Sequence, residues 1–141
     1  MSDYKVTLEA EPNPADMQAL VKGLTAFNAS QTNGDNPDYL LATVRDGEGN
    51  LIGGLLGATY LGWLTIQIVW LDEPARGHGH GTALLEIAER EAVRRGCPRA
   101  FVETLSFQAL PFYEKCGYTV FSRLPDFPPG GARYTLTKQL S

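Results

Sequence analysis

A glycine-rich turn between a predicted strand and a predicted helix carries the clearest chemical signal in this chain. The turn runs Arg76-Gly77-His78-Gly79-His80-Gly81-Thr82. Its glycines allow backbone N–H groups to converge at the positive end of the following helix, which suits an anion such as a phosphate. A P-loop would need Lys-Ser/Thr after the last glycine, and a dinucleotide fingerprint would need glycine in place of Thr82. The turn is therefore an anion-site candidate of neither type, with a plain glycine-rich turn as the alternative.

The histidines and cysteines of the chain do not form a recognisable metal or disulfide pattern. His78 and His80 stand two residues apart, but no Cys, Asp or Glu cluster completes a ligand set, so no metal is expected. Cys97 and Cys116 are not spaced as Cys-x-x-Cys and are too few for a disulfide framework. We expect both to be reduced structural thiols.

The elements that would position this turn follow from the hydrophobic pattern and the turn residues. Ten elements are predicted in the order βαβββαβαββ, and the run from 64 to 105 implies a parallel crossover within an otherwise antiparallel sheet. The predicted class is α+β, with helices flanking a mixed, mostly antiparallel sheet. The strands are predicted over Tyr4–Glu9, Tyr39–Arg45, Leu51–Thr59, Leu64–Leu71, Arg99–Leu105, Tyr118–Arg123 and Arg133–Leu140, and the helices over Pro14–Ala29, Thr82–Arg95 and Phe107–Lys115.

Length and composition limit the possible partners. A chain of 141 residues suits one domain, 1–141. The net charge of −4 gives no general attraction to nucleic acid or to an anionic membrane. No apolar run approaches the roughly 20 residues of a membrane span, and the first residues do not resemble a signal peptide. We therefore expect a cytoplasmic protein with neither nucleic acid nor membrane as a partner.

Two motifs resemble those of the GNAT N-acetyltransferases. The run Val69-x-Leu71-x4-Arg76-Gly77-x-Gly79-x-Gly81-x2-Leu84-Leu85 looks like the acetyl-CoA signature of that family, whose core is Arg/Gln-x-x-Gly-x-Gly/Ala. Downstream, Ala109-x-x-Phe112-Tyr113-Glu114-Lys115-x-Gly117-Tyr118 is similar to the second signature of the family. The predicted strand order agrees with the GNAT acyl-CoA N-acyltransferase fold from Tyr4 to Leu140. The resemblance implies direct transfer of an acetyl group from acetyl-CoA, as cosubstrate, to a primary amine.

The resemblance also implies which residues contact the coenzyme. The pyrophosphate would lie on the backbone N–H groups of Gly77, His78, Gly79, His80, Gly81 and Thr82, with Arg76 adding positive potential. Val69 and Leu71 would pair through their backbones with the pantetheine arm, although core packing explains their side chains equally well. Ser106 stands where the family often has an asparagine that contacts the coenzyme, so this contact departs from the family pattern.

Catalysis would need an acid and a route for removing a proton from the amine. Tyr113 matches the tyrosine that protonates the leaving thiolate in the family, although it can also be read as an aromatic packed beside Phe112. An alkylamine has a pKa of about 10, so a base is needed. Asp72 and Glu73 follow the central strand and are the candidates, with solvated loop carboxylates and deprotonation through water as alternatives. An acyl-Cys116 is not favoured, because no histidine neighbours it.

The acceptor is less well determined by the sequence. By analogy, the acceptor side would be lined by the Ala26–Asp38 loop, Tyr60–Trp63 and the Leu124–Arg133 loop. A small-molecule amine is the first expectation. A protein or peptide amine and a noncatalytic acetyl-CoA sensor are the alternatives. A homodimer through the late strands is expected by resemblance.

Overall fold

The computed structural model describes residues 3–141 and forms two compact units, Met1–Asn36 and Pro37–Ser141. The first unit contains helix α1 (Pro14–Gln31), which extends two residues beyond the predicted end. The Asn13 side chain accepts a hydrogen bond from the Ala15 N–H at 2.9 Å, as expected of a cap. The strand predicted over Tyr4–Glu9 is wrong, because no strand forms there. Alternation of side chains favours a strand but does not provide the neighbouring strand that it must pair with.

The second unit contains every other predicted element, with ends shifted by a few residues. The strands are β1 (Asp38–Arg45), β2 (Leu51–Tyr60), β3 (Trp63–Leu71), β4 (Arg99–Leu105), β5 (Thr119–Pro125) and β6 (Ala132–Gln139). The helices are α2 (His80–Arg94) and α3 (Leu110–Lys115), and a single 3₁₀ turn spans Glu73–Ala75. Among residues 3–141, none of the helices combines the length and the apolar character that a bilayer crossing requires.

The six strands form one sheet in the order β1-β2-β3-β4-β6-β5. Strands β3 and β4 are parallel and are joined through α2, whereas the other neighbours are antiparallel. The predicted α+β class and the predicted parallel crossover are both confirmed. Because α2 follows β3 directly, the crossover brings the N-terminus of α2 to the end of β3.

Helix α2 covers the β1–β3 part of the sheet and supplies much of the core. Leu84, Leu85, Ala88 and Ala92 form the buried stripe of the helix. Val93 is 41% exposed, because it lies one residue round the helix from Ala92, on the flank of that stripe.

The far end of α2 is fixed to the sheet by Arg95. Its Nη1 donates a hydrogen bond to the carbonyl oxygen of Asp38 at 2.8 Å, and its Nε donates to Glu91 Oε2 at 2.8 Å. The guanidinium therefore joins the helix to the edge strand β1. This leaves little freedom for α2 to shift along the sheet.

The sheet face opposite α2 carries an apolar groove of about 1030 Å³, which lies over strands β3, β4, β6 and β5. Since Leu64 and Ile66 are buried under α2, alternation places Trp63 and Thr65 on the groove side. Phe101 on β4 and Phe121 on β5 line the same groove. This part of the sheet therefore exposes aromatic side chains.

The close approach of β1 and β2 yields a stability prediction. A Cβ placed on Gly54 would lie 2.6 Å from the carbonyl oxygen of Ala42, which is backbone and cannot rotate away. Gly54→Ala should therefore reduce the free energy of unfolding by about 1–3 kcal/mol, as overpacking generally does. Urea denaturation monitored by tryptophan fluorescence measures this change. The matched control is Gly47→Ala, where a Cβ meets nothing within 4 Å; equal midpoints for the two variants would contradict the prediction.

Candidate active site

A gap in the sheet between β3 and β4 is the starting point of the site. The two strands pair only from Trp63 to Ile66 and from Arg99 to Val102. The β2–β3 register also shifts, so that Gln67 faces no residue of β2 and forms a bulge. Within residues 3–141, the side of β3 that faces β4 has no strand partner beyond Ile66. A cleft of about 1350 Å³ opens at this gap.

The N-terminus of α2 borders the cleft with unsatisfied backbone donors. Gly79 is the N-cap residue with φ of 82°, and no side chain caps the helix. The first N–H groups of a helix have no partner within it, so those of Gly81 and Thr82 remain available to an anion. Arg76 lies beside them and donates from Nε to the carbonyl oxygen of Leu71 at 2.9 Å. The turn thus presents backbone donors and one cation at the same end of the cleft.

Close packing of α3 against this turn explains the third glycine. A Cβ on Gly81 would lie 3.0 Å from the Phe112 ring, so only a glycine fits without displacing that ring. The predicted coenzyme residues fall into two groups. His78 and Ser106 are not among the residues that line the cleft, and their contacts stay predictions. The residues that do line it are Val69, Leu71, Arg76, Gly77, Gly79, His80, Gly81, Thr82 and Tyr113.

Tyr113 lies on α3 with only 6% of its surface exposed. Its ring makes edge contacts with the rings of Phe112 and Tyr118, at centroid separations of 5.2 Å and 5.9 Å. Burial, with a smaller contribution from Cys116, raises the pKa of Tyr113 to about 12. The phenol is therefore fully protonated at neutral pH and available as a proton donor.

The two carboxylates predicted as bases both lie outside the cleft. Asp72 precedes the 3₁₀ turn, and its Oδ1 accepts a hydrogen bond from the Glu73 N–H at 2.9 Å. Neither Asp72 nor Glu73 lines the cleft. The structure therefore does not bring them together with Tyr113 as the prediction required, and their role as bases stays a prediction.

Glu103 on β4 is a carboxylate of the cleft that the sequence reasoning missed. Its Oε2 accepts a hydrogen bond from Arg133 Nε at 2.7 Å, and the Arg133 guanidinium lies 5.0 Å from the centre of the Phe127 ring. A signal was present in the sequence, because Glu103 alternates with the inward residues Val102 and Thr104. The ion pair connects β4 to the start of β6, next to the loop that was expected on the acceptor side.

Gln108 is a second missed residue of the cleft, close to the predicted contact Ser106. The Ser106 Oγ accepts a hydrogen bond from the Ala132 N–H at 3.1 Å, which ties the end of β4 to the start of β6. The Gln108 Oε1 accepts from the Leu105 N–H at 2.7 Å. Its NH₂ group has no protein acceptor in the described chain and is available to a ligand.

Two kinds of side chain remain, the cysteine thiols and the histidine imidazoles. Both cysteines are free thiols, Cys97 buried and Cys116 partly buried at the cleft. Over residues 3–141, His, Cys, Asp and Glu side chains form no group of three that could hold a metal ion.

Comparisons with known proteins place this geometry in a family. The model of the Acetyltransferase (GNAT) family matches residues 5–118. Blasticidin-S acetyltransferase of Streptomyces morookaense is 42% identical over 106 residues, which cover 74% of this chain and 78% of that protein. The chain and its architecture thus resemble acetyltransferases over most of their length.

Solved structures agree with the sequence match. A crystal structure from Agrobacterium tumefaciens, of a protein assigned as an acetyltransferase, has a TM-score of 0.88 at 31% identity and covers 96% of this chain and 99% of its own. A Bacillus anthracis structure assigned as a streptothricin acetyltransferase, in complex with acetyl coenzyme A, has a TM-score of 0.66 at 19% identity, over 74% of this chain and 64% of its own, and shows the shared fold. Family model, relative and fold agree, and the chain belongs to the GNAT acetyltransferase family.

Proposed function

We propose that this acetyltransferase moves an acetyl group from acetyl-CoA directly to a primary amine of a small molecule. One observation carries the proposal: a single cleft contains the uncapped N-terminus of α2, the unpaired edge of β3 and the protonated phenol of Tyr113. These are, in order, an anion site, a backbone surface for an extended amide-bearing chain and a proton donor. Acetyl-CoA would use all three.

The coenzyme would extend along the cleft from the α2 turn to Tyr113. Its pyrophosphate would accept hydrogen bonds from N–H groups between Gly77 and Thr82, while Arg76 adds positive charge. Its pantetheine arm would pair with the backbone of β3 at Val69 and Leu71. The Gln108 NH₂ group would donate to the coenzyme in place of the asparagine that the family often has at the position of Ser106.

The reaction follows from the positions of the donor and acceptor groups. The neutral amine attacks the thioester carbonyl carbon, a C–N bond forms, and the tetrahedral intermediate expels the thiolate as the C–S bond breaks. Tyr113 gives its proton to that sulfur and recovers one from solvent. Glu103 would receive the proton of the amine, directly or through water, because it is the cleft carboxylate on β4, the strand that borders the gap. Asp72 and Glu73 remain alternative bases.

The acceptor side favours a small cationic amine. The Glu103 carboxylate attracts a protonated amine, and Ile68 and Trp70 supply partly exposed apolar surface at the same cleft. The similarity to blasticidin-S acetyltransferase supports a small-molecule acceptor. A protein or peptide amine and a noncatalytic sensor are the competing outcomes of the test below. The cytoplasmic location and the single-domain assignment of 1–141 stay predictions.

We infer a homodimer through the late strands, because the groove beside β5 exposes Phe121 and neighbouring apolar surface. The chain has a mass of 15.4 kDa, so light scattering should give about 31 kDa. Phe121→Arg should reduce this value by placing charge in the contact. A mass near that of one chain at all concentrations would rule the dimer out.

The α2 turn generates a binding prediction with an internal control. Gly79 has φ of 82° beside the proposed pyrophosphate, and Gly96 has φ of 85° at the other end of α2. Alanine imposes the same backbone strain at both positions, since a Cβ meets nothing within 4 Å at either. Gly79→Ala should weaken acetyl-CoA binding about tenfold or more in calorimetry, and Gly96→Ala should leave the affinity unchanged. Equal affinities would contradict the assigned pyrophosphate site.

The transfer itself is tested by thiol release from acetyl-CoA with aminonucleoside and aminoglycoside antibiotics, polyamines, amino acids and lysine peptides. Release with a small amine is the expected result. Tyr113→Phe should reduce kcat by about 10²-fold or more while acetyl-CoA affinity stays within about threefold. Since the pKa of Tyr113 is about 12, wild-type kcat/KM should rise from pH 6 as the amine or base loses its proton and should not fall by pH 10.

Three carboxylate variants distinguish the bases in the same assay. Glu103→Gln should lower kcat/KM most, whereas Asp72→Asn and Glu73→Gln should change it little. The reverse order would assign the base to the residues after β3. Release only with lysine peptides would replace the small-molecule acceptor. Binding of acetyl-CoA without release for any acceptor would favour the sensor.

A further inference from the structure

A charged network joins α2, the end of α3 and β6 beside the proposed acid, and both Glu89 and Lys138 line the same cleft. Lys138 Nζ on β6 donates to Glu89 Oε1 at 2.9 Å and to Oε2 at 3.2 Å. The same ammonium donates to the carbonyl oxygen of Cys116 at 2.9 Å. Tyr118 Oη donates to Glu89 Oε2 at 2.7 Å. Four residues from distant parts of the chain therefore share one set of hydrogen bonds.

The network is partly buried, which makes its members depend on one another. The side chain of Glu89 is 12% exposed and that of Lys138 is 26% exposed. Tyr118 is 3% exposed, and burial together with the Glu89 carboxylate raises its pKa, so it remains a donor. Removing one charge of such a pair leaves the other without compensation. Each member is consequently held in one position by the others.

The network meets the helix that carries Tyr113 at the point where that helix ends. Helix α3 has six residues, too few to be stable by itself. Its terminal carbonyl group, that of Cys116, is the acceptor for Lys138. The Tyr118 N–H donates to the carbonyl oxygen of Tyr113 at 3.0 Å, and the two rings are in edge contact. The orientation of Tyr113 is thereby coupled to Glu89 and Lys138.

We propose that the Glu89–Lys138 pair is a positioning element for Tyr113, which holds α3 so that the phenol faces the leaving sulfur. The inference rests on the proposed role of Tyr113 as the acid. The ammonium fixes the end of α3, and the carboxylate fixes both the ammonium and the Tyr118 hydroxyl. Neither Glu89 nor Lys138 exchanges a proton with the substrate. Their effect reaches the reaction through the placement of one hydroxyl group.

The test is a double-mutant cycle between Lys138 and Tyr113. Lys138→Met should lower kcat about tenfold, because a misplaced donor loses transfer rate, while the Kd of acetyl-CoA changes by less than about threefold. In a Tyr113→Phe background the same substitution should change kcat by less than about twofold, since no acid remains to be placed. Lys138→Arg should restore part of the rate. Glu91→Gln, which removes two ion pairs at the C-terminal end of the same helix, is the control and should leave kcat unchanged.

Each outcome decides a separate question. If Tyr113→Phe alone has no effect on kcat, the proposed acid is wrong, whatever Lys138 does. If Tyr113→Phe slows transfer but the effect of Lys138→Met is the same in both backgrounds, the positioning role is wrong. If Lys138→Met fails to fold in thermal unfolding, Tyr118→Phe takes its place in the cycle. That variant removes one hydroxyl group, and an unchanged kcat would overturn the proposal.

Discussion

The separation of β3 from β4 after Ile66 and Val102 is the constraint on which the rest of the site depends. A parallel pair that stayed in register would satisfy its own backbone groups and would leave no edge for a ligand. The bulge at Gln67 turns the second half of β3, while β4 continues to pair with β6 on its other side. The result is an unpaired strand edge inside a sheet, where an extended ligand can complete the hydrogen bonding.

Helix α2 satisfies two requirements at once because it connects those two strands. The buried stripe of α2 covers strands β1, β2 and β3, and the N-terminus of the helix lies close to the end of β3. Left-handed glycines at 77 and 79 turn the chain sharply enough for the helix to start beside the gap. Because no side chain caps α2, its first backbone N–H groups are left without partners. These are the donors that an anion requires. Stability and binding therefore depend on the same short turn.

The sequence predicted this architecture where local patterns determine it. The order of elements after α1, the parallel crossover and the residues of the glycine turn all follow from spacing and residue type. The Tyr4–Glu9 strand failed because pairing is a property of two segments. Glu103 was missed because a pattern gives the face of a strand but does not show which strand borders the gap. Glu89 and Lys138 are 49 residues apart in the sequence, so the periodicity of a single helix or strand cannot predict their contact.

Burial of Tyr113 has two opposing effects on its role as a proton donor. Burial raises its pKa to about 12, which keeps the proton in the resting state and makes the phenol a weak acid. An ordinary thiol has a pKa of about 8.5, so the phenol is the weaker acid, and transfer of its proton depends on close placement beside the sulfur as the C–S bond breaks. A lone buried cation near the ring would lower the pKa, and a lone anion would raise it further. Glu89 and Lys138 carry opposite charges, so the pair can fix α3 with a smaller net effect on the phenol than either charge would have alone.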